Sequence, residues 1–222
     1  MRFEALERFA MQRRLFQNLT ACLIAAAAML GPLSTSAADE PPDAVIQRLS
    51  NSVLDNIRSD KSLKAGDLSH VIALVDSKIM PNVNFRRMTA SAIGPTWRQA
   101  TPEQQARLQE EFKILLVRIY AGALAQVSDQ TILIKPLRSA PDDKEVLVRT
   151  EVRGRGDPIQ LDYRLEKTPG EGGGWKIYNL NVLGVWLVET YRSQFAREIN
   201  NSGIDGLIKV LSERNKANVA KG

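Results

Sequence analysis

From Val146 to Glu166 the chain reads VLVRTEVRGRGDPIQLDYRLE, and the fold turns on this stretch. Val146, Val148, Thr150 and Val152 alternate with Leu147, Arg149, Glu151 and Arg153. After Gly154-Arg155-Gly156-Asp157-Pro158, the residues Ile159, Leu161, Tyr163 and Leu165 alternate with Gln160, Asp162, Arg164 and Glu166. A period of two sends the two sets to opposite faces of a strand. The glycines, aspartate and proline between the runs are what a turn uses. The pattern predicts a hairpin with one dry and one wet face, as in an antiparallel sheet covered on one side only.

Working outward, Gln130 to Lys135 predicts a preceding strand, and the loop from Pro169 to Gly174 leads into a fourth strand, Trp175 to Val182. In that strand the apolar phase slips from Trp175 and Ile177 to Leu180 and Val182, which predicts a bulge near Tyr178 and Asn179. Upstream the period lengthens to 3.6. Ile46, Leu49, Val53 and Ile57 follow Pro41-Pro42; Leu68, Val71, Ile72, Val75 and Ile79 run from Gly66-Asp67 to Pro81; Phe85, Met88 and Ala92 precede Gly94-Pro95. These are amphipathic helices. The best-marked helix opens at Thr101, with Pro102 in its first turn and Gln104 placed for a capping box. Its apolar face is Leu108, Phe112, Leu115, Leu116, Ile119, Ala123 and Leu124, and it ends near Gln126. Two helices close the chain, one on Leu187, Val188, Tyr191, Phe195 and Ile199, the other on Leu207, Ile208 and Leu211 after Gly203. The predicted class is α+β: a curved four-stranded antiparallel sheet with N-terminal and C-terminal helices folded over its apolar face.

The first 38 residues read differently from the rest. Arg13-Arg14 precede an apolar run, LTACLIAAAAMLGPL from Leu19 to Leu33, and Ser36-Ala37-Ala38 follow it. This is the order of a secretory signal peptide, with residues 39–222 as a single exported domain. The run is shorter than the roughly 20 residues a membrane-spanning helix needs, and Gly31-Pro32 would break it. Leu19-Thr20-Ala21-Cys22 has the form of a lipobox but begins the apolar run instead of ending it, while Arg13-Arg14-Leu15-Phe16 has the form of a twin-arginine address. Removing this segment takes away four Arg, two Glu and Cys22, the only cysteine. What remains is near charge balance and has no thiol chemistry. That composition argues against disorder and against a strongly basic nucleic-acid binder.

Chemistry is tested by inventory. One histidine, His70, and no cysteine after the leader leave zinc, haem and iron–sulfur sites without their usual ligands. No G-x-S-x-G occurs. Glu151, Asp162 and Glu166 alternate with Arg149, Arg153 and Arg164 on the wet face, where cross-strand ion pairing accounts for them. Gly172-Gly173-Gly174 precedes a strand and reads as a turn, as does Arg155-Gly156-Asp157 before Pro158. What stands out is the supply of side chains predicted to face one interior or its margin: Phe85, Met88, Phe112, Leu116, Ile119, Tyr120, Val146, Val148, Leu161, Tyr163, Trp175, Leu180, Trp186, Val188, Tyr191 and Phe195. Periodicity does not distinguish a filled core from a curved sheet that encloses a ligand cavity.

Two blocks carry a resemblance. One is Pro81-Asn82-Val83-Asn84-Phe85, then Met88, Ala92, Gly94, Trp97, Ala100-Thr101-Pro102, Leu108, Phe112, Leu115-Leu116 and Tyr120-Ala121. The other is Gly174-Trp175-Lys176-Ile177-Tyr178-Asn179, then Gly184-Val185, Tyr191-Arg192, Phe195 and Gly203-Ile204-Asp205-Gly206-Leu207-Ile208. In order and spacing the chain resembles the MlaC family of exported phospholipid carriers, auxiliary components of an ABC transporter linked to toluene tolerance. The resemblance implies a non-enzymatic periplasmic shuttle for diacyl phospholipid, with acyl chains in a hydrophobic pocket and no cofactor. The implied pocket residues are those above other than Trp175 and Phe195. The implied partners are an inner-membrane ABC permease complex with an MCE-type subunit and an outer-membrane lipoprotein complex, acting together to keep phospholipid out of the outer leaflet. This chain departs from the family where Glu-Gly-Val-Ser is common: it has Leu183-Gly184-Val185-Trp186, so no role carries over to that Glu or Ser, and Trp186 is a further candidate wall. A ligand-free adaptor and a small enzyme acting on apolar substrates in the same cone are the readings from other classes.

Overall fold

The computed structural model describes residues 40–217 except 141 and 172. The signal-segment expectation for residues 1–38 lies outside the described residues. Helix α1, Pro42–Ser59, starts where a proline needs no hydrogen-bond partner for its nitrogen. A short α2, Lys61–Lys64, is capped by Asp60, and α3, Leu68–Leu74, by Asp67, whose Oδ1 accepts from Ser69 N at 2.8 Å. The single helix expected from Leu68 to Ile79 is therefore shorter: after Leu74 the chain widens into a π turn, Val75–Ile79, then a 3-10 turn, Met80–Asn82, as Pro81 approaches. Helix α4, Phe85–Ile93, is capped by Asn84 and followed by the 3-10 segment Gly94–Gln99. Helix α5, Pro102–Ala125, has the capping box: Thr101 Oγ1 accepts from Gln104 N at 3.2 Å and Thr101 N donates to Gln104 Oε1 at 3.0 Å.

The sheet has five strands, not four, in the order β1 Thr131–Ile134, β2 Glu145–Arg153, β3 Ile159–Lys167, β4 Trp175–Val182 and β5 Val185–Trp186, all antiparallel. Two residues are too few for alternation to reveal β5. It forms because Leu183 and Gly184 both take positive φ (53° and 85°), a two-residue turn that folds Val185 back onto Val182. The bulge lies where the phase slip places it. Arg164 pairs with Asn179 and Leu165 with Ile177, leaving Tyr178 as the extra residue, so Leu180 and Val182 return to the face of Trp175 and Ile177. After β5 the chain enters α6, Leu187–Ala217, which bends at Gly203 (φ 70°, ψ −173°), a backbone open essentially to glycine alone. The two closing helices expected from sequence are the two arms of α6.

Packing divides the apolar interior among three clusters. Helices α4, α5 and α6 bury Phe85, Met88, Leu108, Phe112, Tyr191, Phe195 and Leu207 together. Helix α1 covers the dry face near β2, with Val45, Ile46 and Leu49 against Val146, Val148, Leu165, Trp175 and Ile177. Ile57, Leu63, Val71, Leu74, Val117 and Ala121 join α1, α2, α3 and α5.

Candidate functional site

The strand register assigns the faces. Thr150, Leu161 and Val182 share one face across β2, β3 and β4, as do Val148, Tyr163 and Leu180; Arg149, Asp162 and Asn181 share the other. The first face looks toward the helices. Trp175 and Phe195 are buried core, and the other fourteen predicted interior residues fall into three groups.

Phe85, Met88, Phe112, Val188 and Tyr191 are buried in the helical cluster. Their aromatic rings close on one another: Phe112 lies 4.9 Å from Tyr191 and 5.2 Å from Phe195 edge-on, and 5.7 Å from Phe85. Val146 and Val148 are buried under α1. These seven are closed core. A second group, Leu116 and Tyr120 of α5 with Leu161, Tyr163 and Leu180 of the sheet, is only half buried although it is apolar and inward-facing. Leu116, Tyr120 and Leu180 form the margin of the helical cluster, and Tyr163 that of the α1 cluster. Val182, Val53 and Ile132 have the same half-buried character and were not among the predicted residues. For Val182 the signal was present, two positions along the strand from Leu180.

The third group does not join the others. Ile119 is 50% exposed. Trp186 pairs with Asn181 and so lies on the opposite face of the sheet, where the Arg164 guanidinium covers its ring at 4.0 Å from the centroid. A strand residue shares the face of its cross-strand partner, which puts Trp186 outside the interior.

Three phenols border the half-buried group. Burial pushes Tyr163 well above its ordinary value, with the Asp162 carboxylate adding to the rise against hydrogen bonds from Ser50 and Thr150. Burial also raises Tyr120, and takes Tyr191 up to about 12, helped by Tyr120 and opposed by Arg214. All three stay neutral at physiological pH; Tyr120 and Tyr163 bring hydroxyls to the half-buried group, and Tyr191 lies in the closed core behind it. The displaced carboxylates lie elsewhere and move downward: Asp67, Glu103, Asp129, Glu145, Glu151 and Glu189. None of these is shaped as a general acid near neutral pH.

The wet face is tied to the helices. Arg87 of α4 donates to Glu145 and Glu166, each at 2.5 Å, with its guanidinium 3.7 Å from the Tyr178 ring. Glu151 pairs with Lys135 and Arg153, as expected for this face. Asp162, expected to ion-pair, is instead buried, accepting from Thr150 N at 3.2 Å and Gln160 Nε2 at 2.6 Å. Asn179, just past the bulge, has a role that no motif announces. Its Oδ1 accepts from Val188 N at 3.1 Å, in the open first turn of α6, and its Nδ2 donates to Glu189 Oε2 at 2.8 Å. The bulge thus holds the start of α6 against β4. Among the described residues, no group of three or more His, Cys, Asp or Glu is placed to hold a metal ion.

The chain is 31% identical to the toluene tolerance protein ttg2D of Pseudomonas putida over 176 residues, covering 78% of this chain and 80% of that protein. It is 24% identical to the intermembrane phospholipid transport system binding protein MlaC of Haemophilus influenzae over 181 residues, covering 81% and 84%. In three dimensions it is similar to a phospholipid-binding protein from Ralstonia solanacearum solved in complex with a phospholipid, with a TM-score of 0.76 and 47% identity over 80% of this chain and 98% of the other. The family model described as MlaC protein matches residues 47–213, which takes in all five strands and the helices around them, and this chain belongs to the MlaC family.

Proposed function

We propose that the protein is a carrier of diacyl phospholipid, which it holds by the acyl chains between α5 and the dry face of the sheet. The observation that carries this reading is the half-buried inward group: Leu116, Tyr120, Leu161, Tyr163, Leu180 and Val182 are apolar or amphipathic, and Leu116, Tyr120, Tyr163 and Leu180 lie at the margins of closed clusters. A filled core would bury them. The relative from Ralstonia solanacearum, solved with a phospholipid, supports the same cargo. In this reading Phe85, Met88, Phe112, Val146, Val148, Val188 and Tyr191 are the packed frame behind the lining. The chemistry is binding and release with no bond made or broken, and no cofactor takes part.

A free lipid does not cross water unaided. Two chains with about 30 methylenes carry roughly 24 kcal/mol of hydrophobic free energy at about 0.8 kcal/mol per methylene. The carrier therefore matches a bilayer closely enough to load and unload, and Leu or Tyr walls suit chains of varied length. The protein works in the periplasm after removal of residues 1–38, and no described helix is long and apolar enough to cross a membrane. It moves lipid between an outer-membrane lipoprotein complex and an inner-membrane ABC permease complex with an MCE-type subunit, which maintains outer-membrane lipid asymmetry.

Mass spectrometry of an organic extract from protein purified without detergent tests the reading. A stoichiometric diacyl phospholipid is expected. A lipid-free extract from stably folded protein would refute the carrier and favour an adaptor.

A further inference from the structure

A carrier's cargo has to enter from an apolar phase, and the hairpin between β4 and β5 offers a path. Leu183 is 65% exposed, Val185 52% and Ile159 43%. They are neighbours: Leu183 N donates to Gln160 O at 3.0 Å, and Val182 stands between Val185 and Leu161 across the strands. Val185, Val182 and Leu161 form one row on the inward face, running from the exposed tip to the half-buried stretch. Leu183 is also the single non-glycine residue with positive φ (53°) among the described residues, a conformation disfavoured for leucine. Neither solvation nor backbone preference accounts for a leucine there. Of the cations on the neighbouring strands, Arg153 and Lys135 pair with Glu151, Arg155 with Asp129 and Arg164 with Glu189. The hairpin from Val182 to Val185 carries no charged side chain of its own.

We propose that the Leu183 hairpin is where the protein touches a lipid surface. Leu183, Val185 and Ile159 enter the head-group layer shallowly, and acyl chains pass along Val182 and Leu161 without crossing water. The inference rests on the carrier reading above. Three short side chains bring less apolar surface than one myristoyl chain, itself a marginal anchor, so the contact is transient, as a shuttle requires. With no charged residue in the hairpin that makes it, the contact is indifferent to anionic lipid and to salt.

The test measures extraction of fluorescent phosphatidylcholine from protein-free vesicles by the purified protein and by Leu183→Gly. Glycine removes the tip and relieves the backbone, so the variant melts no lower than the wild type. Its extraction rate is expected to fall about tenfold while retention of preloaded lipid is unchanged. Leu183→Asp is expected to fall at least as far. The wild-type rate should not change when about a third of the lipid is phosphatidylglycerol or when salt is raised. Three results would overturn the proposal: an unchanged rate in Leu183→Gly; a wild-type rate that rises with anionic lipid and falls with salt; or a lipid-loaded wild type that extracts nothing from protein-free vesicles, which would give the tip to an apolar protein surface. A wild type that holds no lipid in any form refutes the carrier reading as well, and is told apart by its empty organic extract.

Discussion

Replacing Leu116 by Glu separates an occupied interior from a merely loose one. Leu116 sits at the margin of the Phe112 cluster and is half buried, so in the empty protein the introduced carboxyl reaches water and most of the packing survives. With acyl chains beside it, the same group has to shed its water or take up a proton. An upward displacement of about two to three pKa units, ordinary for a carboxyl in apolar surroundings, corresponds to about 3 to 4 kcal/mol against the loaded state. That is a loss of about a hundred- to a thousandfold in cargo affinity. The sign follows from linkage. The carboxyl's pKa is raised in the loaded state, so lipid binding is intact at pH below the ordinary carboxylate value and is lost as pH rises through the displaced one. The assay is lipid per protein in organic extracts prepared at about pH 4 and about pH 8, alongside the thermal midpoint of the delipidated protein. Val148→Glu is the contrast, because Val148 is fully buried under α1 and a charge there costs the fold itself. A Leu116→Glu protein that melts like the wild type and holds wild-type lipid at about pH 8 would refute the reasoning.

Arg87→Met removes the cation that, together with the Tyr178 hydroxyl, holds Glu145 below the usual carboxylate range. Because that pKa is depressed in the folded state, its contribution is present at neutral pH and is lost as pH falls through the depressed value. The melting midpoint is expected to fall at neutral pH and to converge with the wild type as acid protonates Glu145; an offset constant with pH would mean that lost packing on Tyr178 dominates. Gly203→Ala forces a side chain into the glycine-only bend of α6, although no heavy atom lies within 4 Å of the added carbon. The expected cost is about 1 to 3 kcal/mol, read by denaturant unfolding, and an unchanged midpoint would count against the strain argument.

Much of the fold was legible because it is written in short-range terms. The alternation from Val146 to Glu166 named the hairpin and its dry face, and the slip between Ile177 and Leu180 located the bulge at Tyr178. Thr101, Pro102 and Gln104 marked the start of α5 to the residue. The hairpin β5 left no such mark, since two residues have no period and the turn uses a leucine where glycine or asparagine is usual.

The interior was less legible. Periodicity reports which way a side chain points and not what stands opposite it. Phe112 and Leu116 are one residue-turn apart on the same helix face, yet one is sealed by three aromatic rings and the other is left half open. Trp186 looked like a wall, and pairing with Asn181 turned it to the outside. Asn179 shows the same limit from the polar side, holding a helix start nine residues away through a contact that exists only once β4 and α6 have met. Local sequence by itself determined the elements and their faces, because helix and strand periods and caps act over a few residues. Only the tertiary structure decided which faces close on each other and which stay apart, because burial depends on distances between segments far apart in the chain.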